Sequence, residues 1–181
     1  MTSLIASKKY ITTFTLLAIV SSVLVCQGGV EKMKTLEVKL GFSQVPVDYT
    51  CDGRDTSPKI EIHGLNATSI AIILDDPDAP SGTFTHWVIW NIEPTDFVPA
   101  DIPNNPTLAK PIKAVQGSNS AGSIGYMGPC PPKGKPHRYY FRVYGLDRML
   151  DLNPGATRKE LENAMKGRIM QQGEAMATYQ R

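Results

Sequence analysis

Two proline-rich segments, each followed within a few residues by a histidine, are the part of this sequence best suited to chemistry. The first contains Asp76 and Asp78 and precedes His86, and the second contains Pro131 and precedes His137. Proline fixes the backbone φ angle and removes a hydrogen-bond donor, so such segments are rigid and lie outside central strands. Rigid loops that hold carboxylates and imidazoles predict a preformed polar pocket on a β scaffold.

The chemistry that these residue types favour is the binding of a small anion. An imidazole donates two hydrogen bonds when it is protonated, which suits the oxygens of a phosphate group. A neighbouring carboxylate favours the cationic form of the ring, and backbone N–H groups of a Gly/Pro loop add further donors. Each residue also has an ordinary structural explanation. A histidine in a strand is more often a satisfied core or rim residue, and Asp78 follows a proline in a turn, where aspartate commonly caps the backbone.

The chain resembles the phosphatidylethanolamine-binding protein (PEBP) family, in the prokaryotic branch often labelled Raf kinase inhibitor-like. The resemblance extends from about Leu36 to the C-terminus and depends on several motifs in the right order, which together are far more specific than any one alone. These motifs are Cys51-Asp52-Gly53, Ser57-Pro58, Asp76-Pro77-Asp78-Ala79-Pro80, His86-Trp87, Gly128-Pro129-Cys130-Pro131-Pro132 and His137-Arg138-Tyr139.

The anion pocket of that family, carried over residue by residue, implies that Asp76, His86 and His137 bind the ligand. Pro131 belongs to the segment that walls the pocket, and Tyr139 offers a hydroxyl two residues after the second histidine. The candidate ligand-binding residues are therefore Asp76, Asp78, His86, Pro131, His137 and Tyr139. No catalytic residue is assigned.

Three classes of function fit these residues. The leading one is a PEBP-like binding protein whose pocket takes a phospholipid headgroup or a phosphorylated metabolite. The alternative is an inhibitor that binds a protease or kinase as a protein partner, since the family includes such members. The third is a hydrolase, because Ser118 or Ser120 could join a histidine and an aspartate in a catalytic arrangement. Neither a nucleophile elbow nor a cofactor-binding loop is visible in the sequence.

Histidine and cysteine spacing predicts neither a metal site nor a cofactor. The three histidines are far apart in sequence and no Cys-x-x-Cys motif occurs. Cys51 and Cys130 lie outside the N-terminal segment, and an even number of cysteines in an oxidising compartment allows a disulfide. Two free thiols are the alternative, since both positions match motifs that also occur in cytoplasmic relatives.

The first 29 residues differ from the rest. Lys8 and Lys9 precede an apolar run from 11 to 26, and small residues follow, which is typical of an export signal. The run is short for a membrane span, which needs about 20 apolar residues. No Ala-x-Ala precedes a cleavage point, so a signal peptide and an uncleaved N-terminal anchor both stay open. We expect an exported protein that is secreted, periplasmic or held at the cell surface, with a PEBP-like domain over 35–181.

Charge argues against nucleic acid as a partner. Without residues 1–29, which contain two lysines and no acid, the 19 basic residues fall to 17, equal to the 17 acidic ones. Nucleic-acid-binding proteins carry a basic excess or stripe instead. The expected partners are a small anionic or phosphorylated ligand and, in the alternative, a protease or kinase. Membrane proximity would come through the N-terminal segment, and homodimer formation stays open.

Hydrophobic patterning predicts an all-β domain with minor α content. Residues 35–42 alternate apolar and polar, which is typical of a strand with one buried side. Residues 68–75 are almost uniformly apolar and indicate a central strand covered on both faces. Two more aromatic strands are predicted at 84–92 and 139–146, joined by a long irregular stretch that supplies much of the site.

One amphipathic helix is predicted near the end of the chain. Thr157 and Glu160 form a capping box, and Leu161, Met165 and Ile169 recur every four residues, so the helix is expected over roughly 158–171. The tail after it is expected to form a short strand or a turn. Together with the resemblance, these patterns predict a PEBP-like β-sandwich of antiparallel sheets with a C-terminal helix.

Overall fold

Strand pairing organises the computed structural model, which describes residues 34–181, into two sheets. The predicted signal or anchor at 1–29 lies outside the described residues. Across 34–181, no helix combines the length and the apolar character needed to cross a membrane. The elements of the described residues are β1 (Lys34–Thr35), β2 (Glu37–Lys39), a 3-10 turn (Val47–Tyr49), β3 (Ile60–His63), β4 (Ser69–Asp76), β5 (Phe84–Ile92), β6 (Phe97–Val98), β7 (Thr107–Leu108), β8 (Ala114–Gln116), β9 (His137–Leu146), α1 (Arg158–Met165) and β10 (Ile169–Tyr179).

The larger sheet has seven strands in the order β1-β10-β9-β4-β5-β8-β7, and the smaller has three in the order β2-β3-β6. The pairings are antiparallel throughout, except that β1 runs parallel to β10. The fold class predicted from the sequence, mainly antiparallel sheets with little helix, is therefore confirmed. β4 is the centre of the larger sheet, with β5 on one side and β9 on the other.

β4 is buried along its whole length because both of its faces are covered. Ile72 belongs to a cluster that packs between the sheets together with Ile60 and Ile62 of β3. Ile73 points the other way into a second cluster that is closed by Leu161 of α1. Successive side chains of a strand point to opposite faces, so a run without polar positions must be buried on both sides, as the sequence predicted.

The first predicted strand, 35–42, is two short strands in different sheets. β1 pairs with β10 in the larger sheet, whereas β2 pairs with β3 in the smaller one. Leu36 lies between them and is buried against β10, and Val38, Leu40 and Phe42 still pack on the inter-sheet cluster. The apolar face was thus predicted correctly, but one continuous strand was wrong, because the chain passes from one sheet to the other.

The predicted helix at 158–171 is too long. Its capping box is confirmed, with the Glu160 N–H donating to the Thr157 hydroxyl and the Thr157 N–H donating to the Glu160 carboxylate. The helix ends at Met165, Gly167 adopts a positive φ of 68°, and Ile169 begins β10. The helix is therefore not the last element, and the tail forms an 11-residue strand instead of a short one.

Candidate functional site

A cleft of about 300 Å³ opens where β4 ends and β5 and β9 begin. Its walls are mostly apolar, and its polar side chains are one carboxylate and two imidazoles. The lining residues are Asp76, Ala79, Pro80, Phe84, His86, Met127, Cys130, Pro131, Pro132 and His137. Antiparallel pairing explains the convergence, since β4 lies between β5 and β9 and its C-terminal end meets the N-terminal ends of both.

His86 is almost completely buried, with 4% of its surface exposed. Its Nδ1 lies 2.7 Å from the carbonyl oxygen of Met127. A carbonyl oxygen can only accept, so Nδ1 carries the proton and Nε2 is the ring nitrogen left for a ligand. Burial disfavours the charged ring and lowers the pKa of His86, while the Met127 carbonyl and the charge of Asp76 oppose that shift.

His137, the first residue of β9, is fixed in the same way by a carboxylate. Its Nδ1 donates to Asp76 Oδ2 over 2.8 Å, and the side chains of the two residues are 12% and 5% exposed. The other oxygen of Asp76 accepts the N–H of Asp78 at 2.8 Å, which holds the turn that follows β4. Both imidazoles thus have Nδ1 in contact with a protein oxygen, and neither Nε2 atom makes a hydrogen bond to any of residues 34–181.

Asp78 lies outside the lining and makes a structural ion pair. Its carboxylate accepts the backbone N–H of Arg138 and the Nε and Nη2 groups of the same residue, all within 2.9 Å. The bond to the Arg138 side chain lowers the pKa of Asp78 to about 2. This pair ties the turn after β4 to the start of β9 and so supports the neighbouring contact between Asp76 and His137.

Tyr139 also lies behind the lining. It is fully buried, and its ring packs edge-on against His86 with centroids 5.3 Å apart. Its hydroxyl makes no hydrogen bond of normal geometry to any of residues 34–181. Burial and then the charge of Asp76 raise the pKa of Tyr139 well above its ordinary value. Packing of its ring orients His86 from beneath the cleft.

Cys51 and Cys130 form a disulfide, which resolves the two alternatives that the sequence left open. Cys130 is exposed and lines the cleft next to Pro131. Its partner lies in the loop after the 3-10 turn, and the Cys51 N–H donates to Pro129. The disulfide therefore anchors the proline wall of the cleft to a loop that lies about 80 residues earlier in the chain.

Comparison with known proteins now decides the family. Residues 38–180 match the family described as phosphatidylethanolamine-binding protein. A UPF0098 protein of Pyrococcus horikoshii is 50% identical over 162 residues, which cover 86% of this chain and 82% of that protein. A UPF0098 protein of Pyrococcus abyssi is 51% identical over 157 residues, covering 85% and 88%.

Solved structures agree. A crystal structure of a phosphatidylethanolamine-binding protein homologue from Chlamydia trachomatis superposes with a TM-score of 0.71 at 35% identity, covering 81% of this chain and 97% of that one. The structure of YbcL from Escherichia coli, described as a member of the mammalian PEBP family, gives 0.73 at 27% identity and covers 81% and 98%. The chain belongs to the phosphatidylethanolamine-binding protein family.

The serines proposed for a hydrolase do not reach the cleft of this PEBP-family protein. The Ser118 hydroxyl donates to the carbonyl of Gly155, and Ser120 Oγ accepts the N–H of Thr85. None of the serines among residues 34–181 lines the cleft, and both imidazole Nδ1 atoms already contact other oxygens. The Ser–His–Asp arrangement that the sequence left open is not formed.

Sequence analysis did not identify two residues that hold segments next to the cleft of this PEBP-family protein in place. Asp52 accepts the Tyr179 hydroxyl at 2.7 Å and pairs with Arg181, so the end of the chain is held beside the disulfide. Asp55 accepts the N–H of Gly128 at 2.6 Å. Both aspartates lie in a turn-rich stretch where local capping is the usual role, and nothing in the sequence pointed to partners so far along the chain.

Proposed function

We propose that the cleft of this PEBP-family protein binds a small ligand through a singly or doubly charged oxyanion, such as a phospholipid headgroup or a phosphorylated metabolite. The observation that carries the proposal is that both histidines use the same ring nitrogen, Nδ1, to bond to the protein. His86 and His137 line one cleft, and the Nδ1 of each donates to a protein oxygen over 2.7 and 2.8 Å. Two Nε2 atoms then remain for the oxygens of one ligand.

Protonation decides what those nitrogens offer. A neutral imidazole with a proton on Nδ1 presents an acceptor at Nε2, whereas an imidazolium presents a donor. Within the described part of the chain, 34–181, the lining contains no lysine or arginine and one carboxylate, Asp76. The positive charge that an oxyanion needs must therefore come largely from the imidazoles. Ligand binding is expected to draw a proton onto His86, whose pKa is low in the free protein because it is buried.

The apolar walls favour ligands with a nonpolar part next to the anion. Pro80, Phe84, Met127 and Pro131 flank the two imidazoles. Pocket walls of this kind bury most of a small ligand, while a few placed polar groups fix its orientation. Hydrogen bonds to a charged group are also stronger where water is excluded. A phosphate ester should therefore bind more tightly than free phosphate.

Calorimetric titration at about pH 6, near the unperturbed pKa of histidine, tests the proposal with three probes. Glycerophosphoethanolamine represents a lipid headgroup, phenyl phosphate represents a phosphorylated metabolite, and inorganic phosphate represents the anion alone. Their order of affinity separates the sources of the ligand. The matched variants are His86→Gln, His137→Gln and, as control, His63→Gln, an exposed residue of β3.

Each cleft variant should weaken binding by roughly tenfold or more, because a hydrogen bond to a charged group contributes about 1.5–3 kcal/mol. The His63 variant should bind as the wild type does. The proposal is wrong if no probe binds, or if both cleft variants bind the best probe with unchanged affinity while circular dichroism shows them folded.

We also propose that the protein is exported, which rests on the sequence of residues 1–29. The Cys51–Cys130 disulfide suits an oxidising compartment. The mass of the native protein, with its position in the cell fractions, tests this. A free mature domain beginning near residue 30 supports a cleaved signal, and a full-length chain in the membrane fraction supports an anchor. A full-length chain in the cytoplasm contradicts export.

A further inference from the structure

Asp55 is an exposed residue with an unusual backbone and a distant partner. It lies between the disulfide loop and β3 and adopts a φ of 56°, in the left-handed region that aspartate tolerates better than most residues. Its Oδ1 accepts the N–H of Gly128, 73 residues away, at 2.6 Å. Neither the resemblance nor the lining of the cleft includes this residue.

The contact between Asp55 and Gly128 leaves no room for a side chain. A Cβ atom on Gly128 would lie 2.6 Å from Asp55 Oδ1 and 2.4 Å from the carbonyl oxygen of Tyr49. Contacts this short do not occur for real Cβ atoms. Glycine at this position therefore lets the carboxylate approach the peptide group directly.

The peptide group that Asp55 contacts is the same one that holds His86. The Gly128 N–H donates to Asp55, and the Met127 carbonyl of that peptide unit accepts Nδ1–H of His86 at 2.7 Å. Hydrogen bonds in such a chain polarise one another, so a carboxylate on the N–H makes the carbonyl a stronger acceptor. Two hydrogen bonds therefore connect the Asp55 carboxylate to the His86 imidazole through one planar peptide unit.

We propose that Asp55 is a positioning residue for His86. Through the Met127–Gly128 peptide it holds the ring with its proton on Nδ1 and leaves Nε2 for the ligand. The residue does not touch the ligand, so only its effect on affinity rests on the proposed function. Its effect on the imidazole is present in the free protein and is measured without any ligand.

A simple structural brace is the competing explanation. Asp55 joins two segments that the disulfide and the Tyr126 hydroxyl, which donates to Tyr49, already connect. A brace would change stability when it is removed, but it would leave the tautomer of His86 as it is. The state of the imidazole therefore separates the two explanations.

Two variants separate the effect of the acceptor oxygen of residue 55 from the effect of its backbone conformation. Asp55→Asn keeps an oxygen and tolerates the positive φ, and Asp55→Gly tolerates the φ but removes the oxygen. Asp101→Gly is the matched control, because Asp101 is also an exposed aspartate with a positive φ, of 62°, and does not line the cleft. All three are compared with the wild type in the full chain.

Nitrogen-15 NMR of the histidine rings gives the decisive signal, recorded without ligand above the pKa of His86. The wild type, Asp55→Asn and Asp101→Gly should show His86 with protonated Nδ1. In Asp55→Gly the ratio of the two tautomers should move toward Nε2–H by roughly tenfold, the effect of about one hydrogen bond. An unchanged His86 tautomer in Asp55→Gly overturns the proposal, whatever happens to its stability.

Affinity for phenyl phosphate is the second measurement. Asp55→Gly should bind several-fold more weakly than wild type, and Asp55→Asn should fall between them because it keeps the hydrogen bond but loses the charge. If the tautomer moves as expected but wild type binds no probe, the positioning role stands and the proposed function fails. If the tautomer moves and affinity is unchanged, the claim that Nε2 of His86 serves the ligand is overturned.

Discussion

His137 donates its Nδ1–H to Asp76 Oδ2 over 2.8 Å and thereby joins the start of β9 to the end of β4. The two residues are 61 positions apart in sequence but lie at the adjoining ends of two paired strands. Nearby, the Met127 carbonyl holds His86 by the same ring atom. One carboxylate and one peptide carbonyl thus orient the two imidazoles. Both imidazoles line a cleft with rigid proline walls.

Oxyanion binding should become tighter as the pH falls. Burial lowers the pKa of His86 in the free protein, and a bound anion favours the charged ring and raises it. Between those two pKa values binding takes up a proton, so affinity should rise by up to about tenfold per pH unit and level off below the lower pKa.

Glycerophosphoethanolamine is the right probe for this linkage, because its phosphodiester does not titrate near neutral pH. Calorimetry in two buffers with different ionisation enthalpies measures the proton uptake. His86→Gln should remove the uptake that belongs to His86, and His63→Gln should leave it unchanged. Affinity that is flat, or that rises with pH, contradicts the assignment.

Asp78→Asn should lower stability at neutral pH and have little effect in strong acid. Arg138 holds the pKa of Asp78 at about 2, against 3.8 for the unperturbed group. A depressed pKa stabilises the fold above the unfolded-state pKa, and this contribution is lost as the pH falls from about 4 to 2. With solvent screening of the exposed arginine we expect about 1 kcal/mol. Urea unfolding at both ends of this range checks it, and a constant difference at all pH values contradicts the ion-pair explanation.

Removal of the disulfide should cost substantial stability. Cys51 and Cys130 close a loop of 79 residues, for which chain entropy predicts about 4.5 kcal/mol. The double variant Cys51→Ser, Cys130→Ser should unfold at a lower denaturant concentration. Wild type treated with a thiol reductant should move to the same midpoint, whereas the double variant should not respond. If the double variant is as stable as oxidised wild type, the disulfide does not restrain the fold.

Tyr139→Phe should leave ligand affinity within about twofold and slightly raise stability. The buried hydroxyl makes no hydrogen bond of normal geometry to residues 34–181, and an unsatisfied buried polar group costs about 1–3 kcal/mol. The phenylalanine ring keeps the edge-on contact with His86. Titration calorimetry and urea unfolding of the same preparation measure both effects. A large loss of affinity would show that the hydroxyl contacts the ligand directly, as the family resemblance implied.

Local patterns predicted the strands that position the site. β5 spans Phe84–Ile92 as predicted, because its aromatic and β-branched run is bounded by turn residues. Trp87 and Trp90, an odd number of positions apart, belong to the inter-sheet cluster and to the cluster under α1 respectively. Both features depend on residues that are close together in the sequence, so the sequence alone is enough to predict them.

The end of α1 could not be read from the same kind of pattern. Ile169 continues the four-residue spacing of Leu161 and Met165, yet it begins β10. Ile169 packs against the same hydrophobic cluster as the helix, so an apolar residue is required at this position although it lies in a strand. The four-residue spacing therefore continues past the end of the helix. Asp55 was missed for a related reason, since its partner Gly128 is brought near only by the folded sheet and the disulfide.

The most direct measurement is the nitrogen-15 NMR spectrum of the histidine side chains during titration with phenyl phosphate. In the free protein, His86 and His137 should both show a proton on Nδ1. As the ligand binds, the Nε2 signals of these two rings should move together toward the protonated, hydrogen-bonded range, while His63 stays unchanged. Saturation with the ligand that leaves both Nε2 signals where they were would contradict the account.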